Sequence, residues 1–334
     1  MTFPECRKPL REAYDTALLD LDGVVYVGKS AVPGAVYAIN AAISNGMRVA
    51  YVTNNASRPP QSVADHLYEL GLPCTADDVV TSAQAGARLL QELLPPGAKV
   101  FALGGEGVRL ALAERGFEPV GLDGVREASG VLQGFGPDLT WHWYAAGAQA
   151  IARGAVWVAT NMDYTIPTPG GIAPGNGSFV RLVAAAAGCE PIAIGGKPER
   201  ALIDESVERV GGERPLIIGD RLDTDIWAGQ NAAVPTLLVL TGVSTARDVV
   251  TAEPWLRPTY VARDLRALAE PQIGVLDLGD VVQCADAHAT VSNDVISVEG
   301  SDPVNMLKAA ATIAWSHPAA SHDDAVKKIE RFLG

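Results

Sequence analysis

The chain has 334 residues, 48% of them apolar and 19% charged, an ordinary balance for a globular protein with room for two domains. Its 39 acidic residues outweigh 26 basic ones, and the net charge of −13 excludes the basic footprint of a nucleic-acid binder. An anionic ligand would need positive charge supplied locally, by a metal or by a few Lys and Arg side chains. Cys6, Cys74, Cys189 and Cys284 are scattered without CxxC spacing, so they read as reduced thiols of a cytoplasmic protein, not as a zinc site or a disulfide frame. The stretch from Met1 to Tyr14 is polar and lacks the apolar core of a signal peptide. No run reaches the ~18 apolar residues of a membrane span.

In chain order, Thr16 to Leu19 is a short apolar run with the pattern of a buried strand, and it ends in Asp20-Leu21-Asp22-Gly23. Ligands of open α/β sheets bind beyond the carboxyl ends of the strands, so two carboxylates at such an end are placed for chemistry. A helix is expected from Pro33-Gly34 to Ser44, closed by Asn45-Gly46. Arg48 to Val52 reads as a second buried strand, ending in Thr53-Asn54-Asn55, and a helix then runs from Ser57 and Pro59-Pro60 to Leu70. Strand, helix, strand, helix in this rhythm predicts a parallel sheet with right-handed crossovers.

From about Ser82 to Cys189 the rhythm repeats with different content: a helix over Gln84 to Leu94 and strands over Val100 to Leu103 and Val156 to Thr160. This stretch is long enough to be a domain inserted into the first. Its Trp141-His142-Trp143-Tyr144 cluster reads as the core of that domain or as a contact with a second copy of the chain. Its Pro/Gly-rich loop from Asn161 to Ser178 is of the kind that caps a site. The first sheet is expected to resume with Ile192 to Ile194, leading to Gly195-Gly196-Lys197-Pro198 and a helix over Glu199 to Val210. Leu216 to Gly219 then leads to Asp220, and Thr236 to Leu240 adds a strand. From about Gln272, two strands (Gly274 to Gln283, Ala289 to Val298) and two helices (Pro303 to Trp315, His322 to Leu333) are expected.

Four strand ends thus carry polar residues: Asp20 with Asp22, Thr53-Asn54-Asn55, Lys197, and Asp220 with Asp225. Each alone has a plain structural explanation, as a solvated turn, an N-cap or a loop lysine. Their order, each behind a buried strand, is specific. Lys197 is not a P-loop lysine, because positions 191 and 198, where that motif needs Gly and Ser or Thr, are both Pro.

This order resembles the haloacid dehalogenase (HAD) superfamily of phosphotransferases. Strand-Asp-x-Asp-Gly matches Asp20 to Gly23, the second-motif Thr matches Thr53, the third-motif Lys matches Lys197, and the fourth motif matches Gly219-Asp220 through Asp225. The Thr-Asn-Asn form and the insert between the second and third motifs fit the branch with a C2-type cap, the NagD-like or para-nitrophenylphosphatase group. The resemblance covers roughly Tyr14 to Ala269. It implies an α/β fold: a Rossmann-like core with a parallel sheet (1–82 and 190–271), an inserted α/β cap (83–189) and, outside the resemblance, a small α+β extension (272–334).

What the family implies can be carried residue by residue. Asp20 is the nucleophile that forms an aspartyl phosphate, and Asp22 the general acid and base. Thr53, Asn54 and Asn55 bind phosphate, and Lys197 sets a positive charge on phosphate and nucleophile. Asp20, Asp22 (through its carbonyl) and Asp220 hold Mg²⁺, with Asp225 steadying them from behind. A P-type ATPase carries Thr where Asp22 stands, so Asp22 favours hydrolysis of a phosphate ester. Selectivity falls to the cap, where Asp163, Tyr164, Thr165 and Ile166 are the candidate contacts. Pyridoxal-phosphate relatives place an aromatic residue and a His where Thr165 and Ile166 stand, which disfavours that substrate. A small phosphorylated metabolite is expected, glycerol 3-phosphate first, with 2-phosphoglycolate, sugar phosphates and nucleotides as alternatives. A phosphate-binding module without turnover and a phospho-accepting receiver are the readings from other classes. A receiver orders its acidic, Thr and Lys sites differently along the chain. No membrane or nucleic-acid partner is expected.

Overall fold

The structure is a computed structural model and describes residues 2–168 and 170–333. They form two compact units, one made of the residues through Ala50, Leu70–Leu72 and everything from Gly211, the other of Tyr51–Glu69 and Pro73–Val210. This division follows compactness and differs from the core, cap and extension boundaries expected above. In particular, 272–334 does not stand alone but belongs to the first unit.

The first unit is built on parallel strands. Thr16–Leu19 pairs with Pro215–Gly219, which pairs with Thr236–Val239, which pairs with Tyr260–Ala262. These strands are buried almost without break, as expected for strands covered on both faces, which is why they read as continuous apolar runs. Within the first unit the order is Tyr260–Ala262, Thr236–Val239, Pro215–Gly219, Thr16–Leu19, and within the second the strand residues Tyr51 to Thr53 pair with Val79–Thr81.

The C-terminal part holds four antiparallel strands rather than the expected two: Leu276–Asp277, Val281–Cys284, Ala287–Ser292 and Val295–Glu299, in sequence order. The expected runs crossed hairpin turns. Asn293 and Asn-like Asp294 both adopt positive φ (50° and 57°) between paired Ser292 and Val295, the conformation of a two-residue hairpin loop. Burial alternates along Val295–Glu299, leaving Ile296 and Val298 inward. That inner face packs with the helix Pro303–Ser316, whose start is set by Pro303 and by Asp302, which accepts from the N–H groups of Val304 (2.9 Å) and Asn305 (2.8 Å). Met306, Leu307, Ala310 and Ile313 lie in one apolar cluster with Leu222, Ile226, Leu238 and Val261 of the parallel-sheet part. The extension therefore completes a core that the parallel strands begin.

The second unit carries its own parallel sheet, in the order Ala193–Ile194, Val156–Ala159, Gly130–Gln133, Lys99–Leu103, Glu118–Val120. Ala193–Ile194, expected to resume the first sheet, joins this one instead by pairing with Val158 and Ala159. Two residues are too short a run for periodicity to reveal the partner. The aromatic cluster opens the helix Trp141–Ala152 and divides: Tyr144 stacks on Phe179 (4.9 Å, 7°) and Trp143 on Phe101 (5.5 Å, 14°), whereas Trp141 is 72% exposed. No helix among the described residues is long and apolar enough to cross a membrane.

Because Ile313 sits fully buried in the shared cluster, Ile313→Ala should cost about 2–5 kcal/mol in urea unfolding. A change within roughly 0.5 kcal/mol, typical of a surface position, would show that the extension is a dispensable appendage.

Candidate active site

The carboxylate cluster follows from strand register. Leu19 lies opposite Ile218, and the Asp20 N–H donates to the Ile218 carbonyl (2.9 Å). Parallel neighbours leave a sheet at the same edge, so the residues that follow, Asp20 on one strand and Asp220 on the other, emerge side by side. A single π turn over Leu222–Ile226 then folds the chain back and returns Asp225 to the same place. One carboxylate oxygen from each of Asp20, Asp220 and Asp225 lies within 4.8 Å of the other two. Asp220 and Asp225 are each only 1% exposed, and Asp20 is half-buried.

The surrounding loops hold this arrangement. Asp220 Oδ2 accepts from the Val243 N–H (2.6 Å), and its carbonyl accepts from the Ser244 N–H (3.0 Å). Asp225 Oδ2 accepts from the Arg221 N–H (3.1 Å), while the Arg221 guanidinium turns outward to Asp223 (3.0 and 2.8 Å). Thr241 Oγ1 donates to the Gly23 carbonyl (2.5 Å), tying the two loops together. Two glycines leave the space Asp220 occupies. A Cβ on Gly242 would stand 1.9 Å from Asp220 Oδ2, and one on Gly23, which also has φ +82°, would stand 2.6 Å from it.

Three carboxylates this close repel one another, all the more in a chain of net charge −13, and a cation among them offsets that cost. The donor set is all oxygen, which suits a hard divalent ion such as Mg²⁺ and not a thiol- or imidazole-seeking metal. The residues present therefore fit such an ion. Asp225, expected behind the metal shell, brings a carboxylate oxygen into the same cluster as Asp220. Asp22 is exposed and its carboxylate is outside that cluster; it sits in the turn that the Gly23 N–H closes on the Tyr26 carbonyl (2.8 Å).

The second unit gathers the other predicted residues. Thr53, buried at the end of its strand, accepts from the Asn55 N–H at Oγ1 (3.1 Å), and Asn55 in turn accepts from the Ser57 N–H (2.9 Å). Asn54 is the hub. Its Oδ1 accepts from the Lys197 N–H (2.8 Å), and its Nδ2 donates to the Lys197 carbonyl (3.0 Å) and to Asp163 Oδ2 (3.2 Å). Its own carbonyl accepts from Ser82 Oγ (2.6 Å) and Asn161 Nδ2 (2.8 Å). The Asn54 side chain, expected at phosphate, thus fixes the backbone of the lysine and a cap-loop carboxylate. Lys197 is buried, and its Nζ donates to the Val52 carbonyl (3.3 Å).

Of the cap-loop candidates, Asp163 is in this network. The Tyr164 hydroxyl accepts from Arg181 (3.2 and 3.0 Å), and Thr165 and Ile166 lie on a small hairpin, Thr165–Thr168 with Gly171–Pro174. Asn161 begins the loop expected to contact substrate, but sequence reasoning missed its bond to the Asn54 carbonyl, and it missed Ser82 altogether. A signal for Asn161 was present: Thr160-Asn161 follows a buried strand as Thr53-Asn54 does.

Two family models match the chain: one described as haloacid dehalogenase-like hydrolase over residues 17–118, and a HAD-hydrolase-like one over 194–268. D-glycerol 3-phosphate phosphatase of Mycobacterium tuberculosis is 41% identical over 97% of this chain and 92% of its own length. The chain belongs to the HAD superfamily. Within it the chain is a phosphatase of the NagD-like, para-nitrophenylphosphatase branch. An acid sugar phosphatase of Staphylococcus epidermidis is 35% identical over 77% of this chain and 98% of its own. Among solved structures, glycerol phosphate phosphatase from M. tuberculosis in complex with magnesium matches with a TM-score of 0.86 and 37% identity, covering 98% of this chain and 100% of that one. The same fold recurs in 4-nitrophenylphosphatase from Thermotoga maritima (TM-score 0.71, 27% identity, 78% of this chain and 98% of that one).

If Gly242 exists to make room for Asp220, Gly242→Ala should weaken divalent-cation binding by about ten- to a hundredfold in calorimetric titration, with the circular dichroism spectrum unchanged. Unaltered cation affinity would show that the close approach of Gly242 has no bearing on the cluster.

Proposed function

We propose that this chain is a Mg²⁺-dependent phosphomonoesterase that hydrolyses glycerol 3-phosphate through an aspartyl phosphate on Asp20. The observation that carries the reading is the convergence of Asp20 and Asp220, at the ends of adjacent parallel strands, with Asp225, returned to them by a π turn. Asp220 and Asp225 hold the ion together with Asp20. When bound, Mg²⁺ supplies positive charge to the phosphoryl oxygens and keeps Asp20 ionised. An Asp20 carboxylate oxygen attacks phosphorus, and the ester oxygen leaves with a proton from Asp22, whose exposed position in the turn lets it exchange protons with solvent. Asp22 then takes a proton from the water that attacks phosphorus and releases inorganic phosphate, restoring Asp20. In the family's reaction Thr53, the backbone around Asn54 and Asn55, and Lys197 bind the transferring phosphoryl group. Asn54 contributes by holding Lys197 and Asp163 in place.

Glycerol 3-phosphate is favoured because the relative named for it matches nearly the whole chain, extension included, whereas the sugar phosphatase leaves about a quarter of the chain unmatched. A compact polyol phosphate also suits a cap loop whose Thr165 and Ile166 offer neither a stacking ring nor an imidazole. The four free cysteines are consistent with a cytoplasmic setting.

A panel of glycerol 3-phosphate, 2-phosphoglycolate, sugar phosphates and nucleoside monophosphates ranked by kcat/KM tests the substrate, since that ratio measures discrimination in the transition state. Glycerol 3-phosphate should rank first, with Asp20→Asn inactive on every ester and chelation abolishing turnover. A sugar phosphate or nucleotide in first place would overturn the substrate, and an active Asp20→Asn enzyme the mechanism.

A further inference from the structure

A cavity of ≈510 Å³ lies entirely within the first unit, between the segment Val261–Ile273 and the start of the helix Pro303–Ser316. Openings of this size accommodate small metabolites. None of the Asp20, Asp220 or Asp225 side chains lines it. Its wall does carry Lys308, which is 3% exposed. The Lys308 ammonium donates to Gln272 Oε1 at 3.5 Å and to the Ile273 carbonyl at 3.4 Å, both long for N–H···O bonds. Among the described residues it makes no ion pair, although an ammonium has three donors to satisfy and is costly to bury alone.

The other charges around the cavity are mostly committed. Asp264 is held by Arg266 (2.8 and 2.5 Å), and Asp302 caps its helix through the Val304 and Asn305 N–H groups. Arg263 at the exposed rim donates to the Phe332 carbonyl (3.0 Å), and Glu270 is exposed there too. Among the described residues neither Asp264, paired with Arg266, nor Asp302 makes an ion pair with Lys308. Gln272 is pinned by reciprocal backbone bonds with Cys6 (2.8 Å each), so the wall opposite the helix is fixed.

We propose that this cavity binds a small oxyanion metabolite, one bearing a carboxylate or phosphate group, with Lys308 as the anchoring cation and Arg263 as a second donor at the rim. Geometry comes first: a buried ammonium with only two long contacts faces an open, polar volume. Burial also depresses Lys308 below the ordinary lysine range, with Cys284 and Asp302 opposing only in part, and an anion beside Nζ would favour its charged form. The occupant would touch both the end of the parallel-sheet part and the first turn of the extension helix. Its binding should therefore stabilise the folded chain by mass action.

Thermal unfolding and calorimetry of the full chain test this with two probes, succinate and inorganic phosphate, at millimolar concentrations. The expected result is a saturable rise in melting temperature with at least one probe. That rise should be lost in Lys308→Met, which keeps the volume but not the charge, with binding weakened roughly tenfold or more. Lys308→Arg should retain it, and Arg263→Gln, a rim change that leaves the core untouched, should weaken it even if Lys308→Met does not fold. The proposal is overturned by the absence of a saturable response to either probe, or by a response unchanged in the Lys308→Met and Arg263→Gln proteins. A phosphate response that survives both substitutions, with none to succinate, belongs to the Asp20 site as product binding and overturns it as well.

Discussion

The proposed chemistry depends on three carboxylates, Asp20, Asp220 and Asp225, held with one oxygen of each within 4.8 Å of the others, two of them buried and one half-buried. Like charges at that separation repel strongly where water cannot screen them, so nothing local favours the arrangement. It is imposed from elsewhere. Two parallel strands in fixed register bring Asp20 and Asp220 out of the sheet together, and the apolar burial of those strands secures the register. The one-turn π segment that returns Asp225 is a strained form of helix, found where a site needs a side chain re-aimed. A divalent ion held among the three oxygens would offset that repulsion.

The second set of residues solves a different problem. In the proposed reaction Lys197 serves the phosphoryl group, so its backbone must be held in place. The Asn54 side chain does this by bonding the backbone of Lys197 on both sides, donor to carbonyl and acceptor to N–H. The same amide reaches Asp163, so the lysine and the cap loop are held by one side chain. A shift of the cap loop would then be felt at the lysine backbone.

The legibility of these features in the sequence follows the range of the forces behind them. Buried parallel strands announce themselves as apolar runs, and the motif residues stand at their ends, so Asp20, Thr53, Lys197, Asp220 and Asp225 could be named before any coordinates. The two helices of the extension, Pro303–Ser316 and Asp323–Leu333, were likewise visible, the first from the proline that opens it. What was hidden is pairing at a distance. Ala193–Ile194 is too short to show which sheet it joins, and nothing in its neighbourhood marks it for the second. The hairpin at Asn293-Asp294 was missed although burial changes phase across it, from Ala287 and Ala289 to Ile296 and Val298, because the partly buried Thr290 and Val291 blur the alternation just before the turn. The double use of the Asn54 amide was also invisible: an Asn after a strand reads as a cap or a ligand, and only the fold shows that its partner is a backbone more than a hundred residues away.

The central claim is that Asp20 takes the phosphoryl group. The direct measurement is acid quenching during turnover of para-nitrophenyl phosphate by the Asp22→Asn protein, in which a good leaving group still departs but hydrolysis of the intermediate is slowed, followed by mass spectrometry of the digested chain. The account predicts one phosphoryl group on the peptide that contains Asp20, absent when Asp20 is also replaced by Asn. A phosphoryl group on any other residue, or sustained turnover with Asp20 never modified, would contradict it.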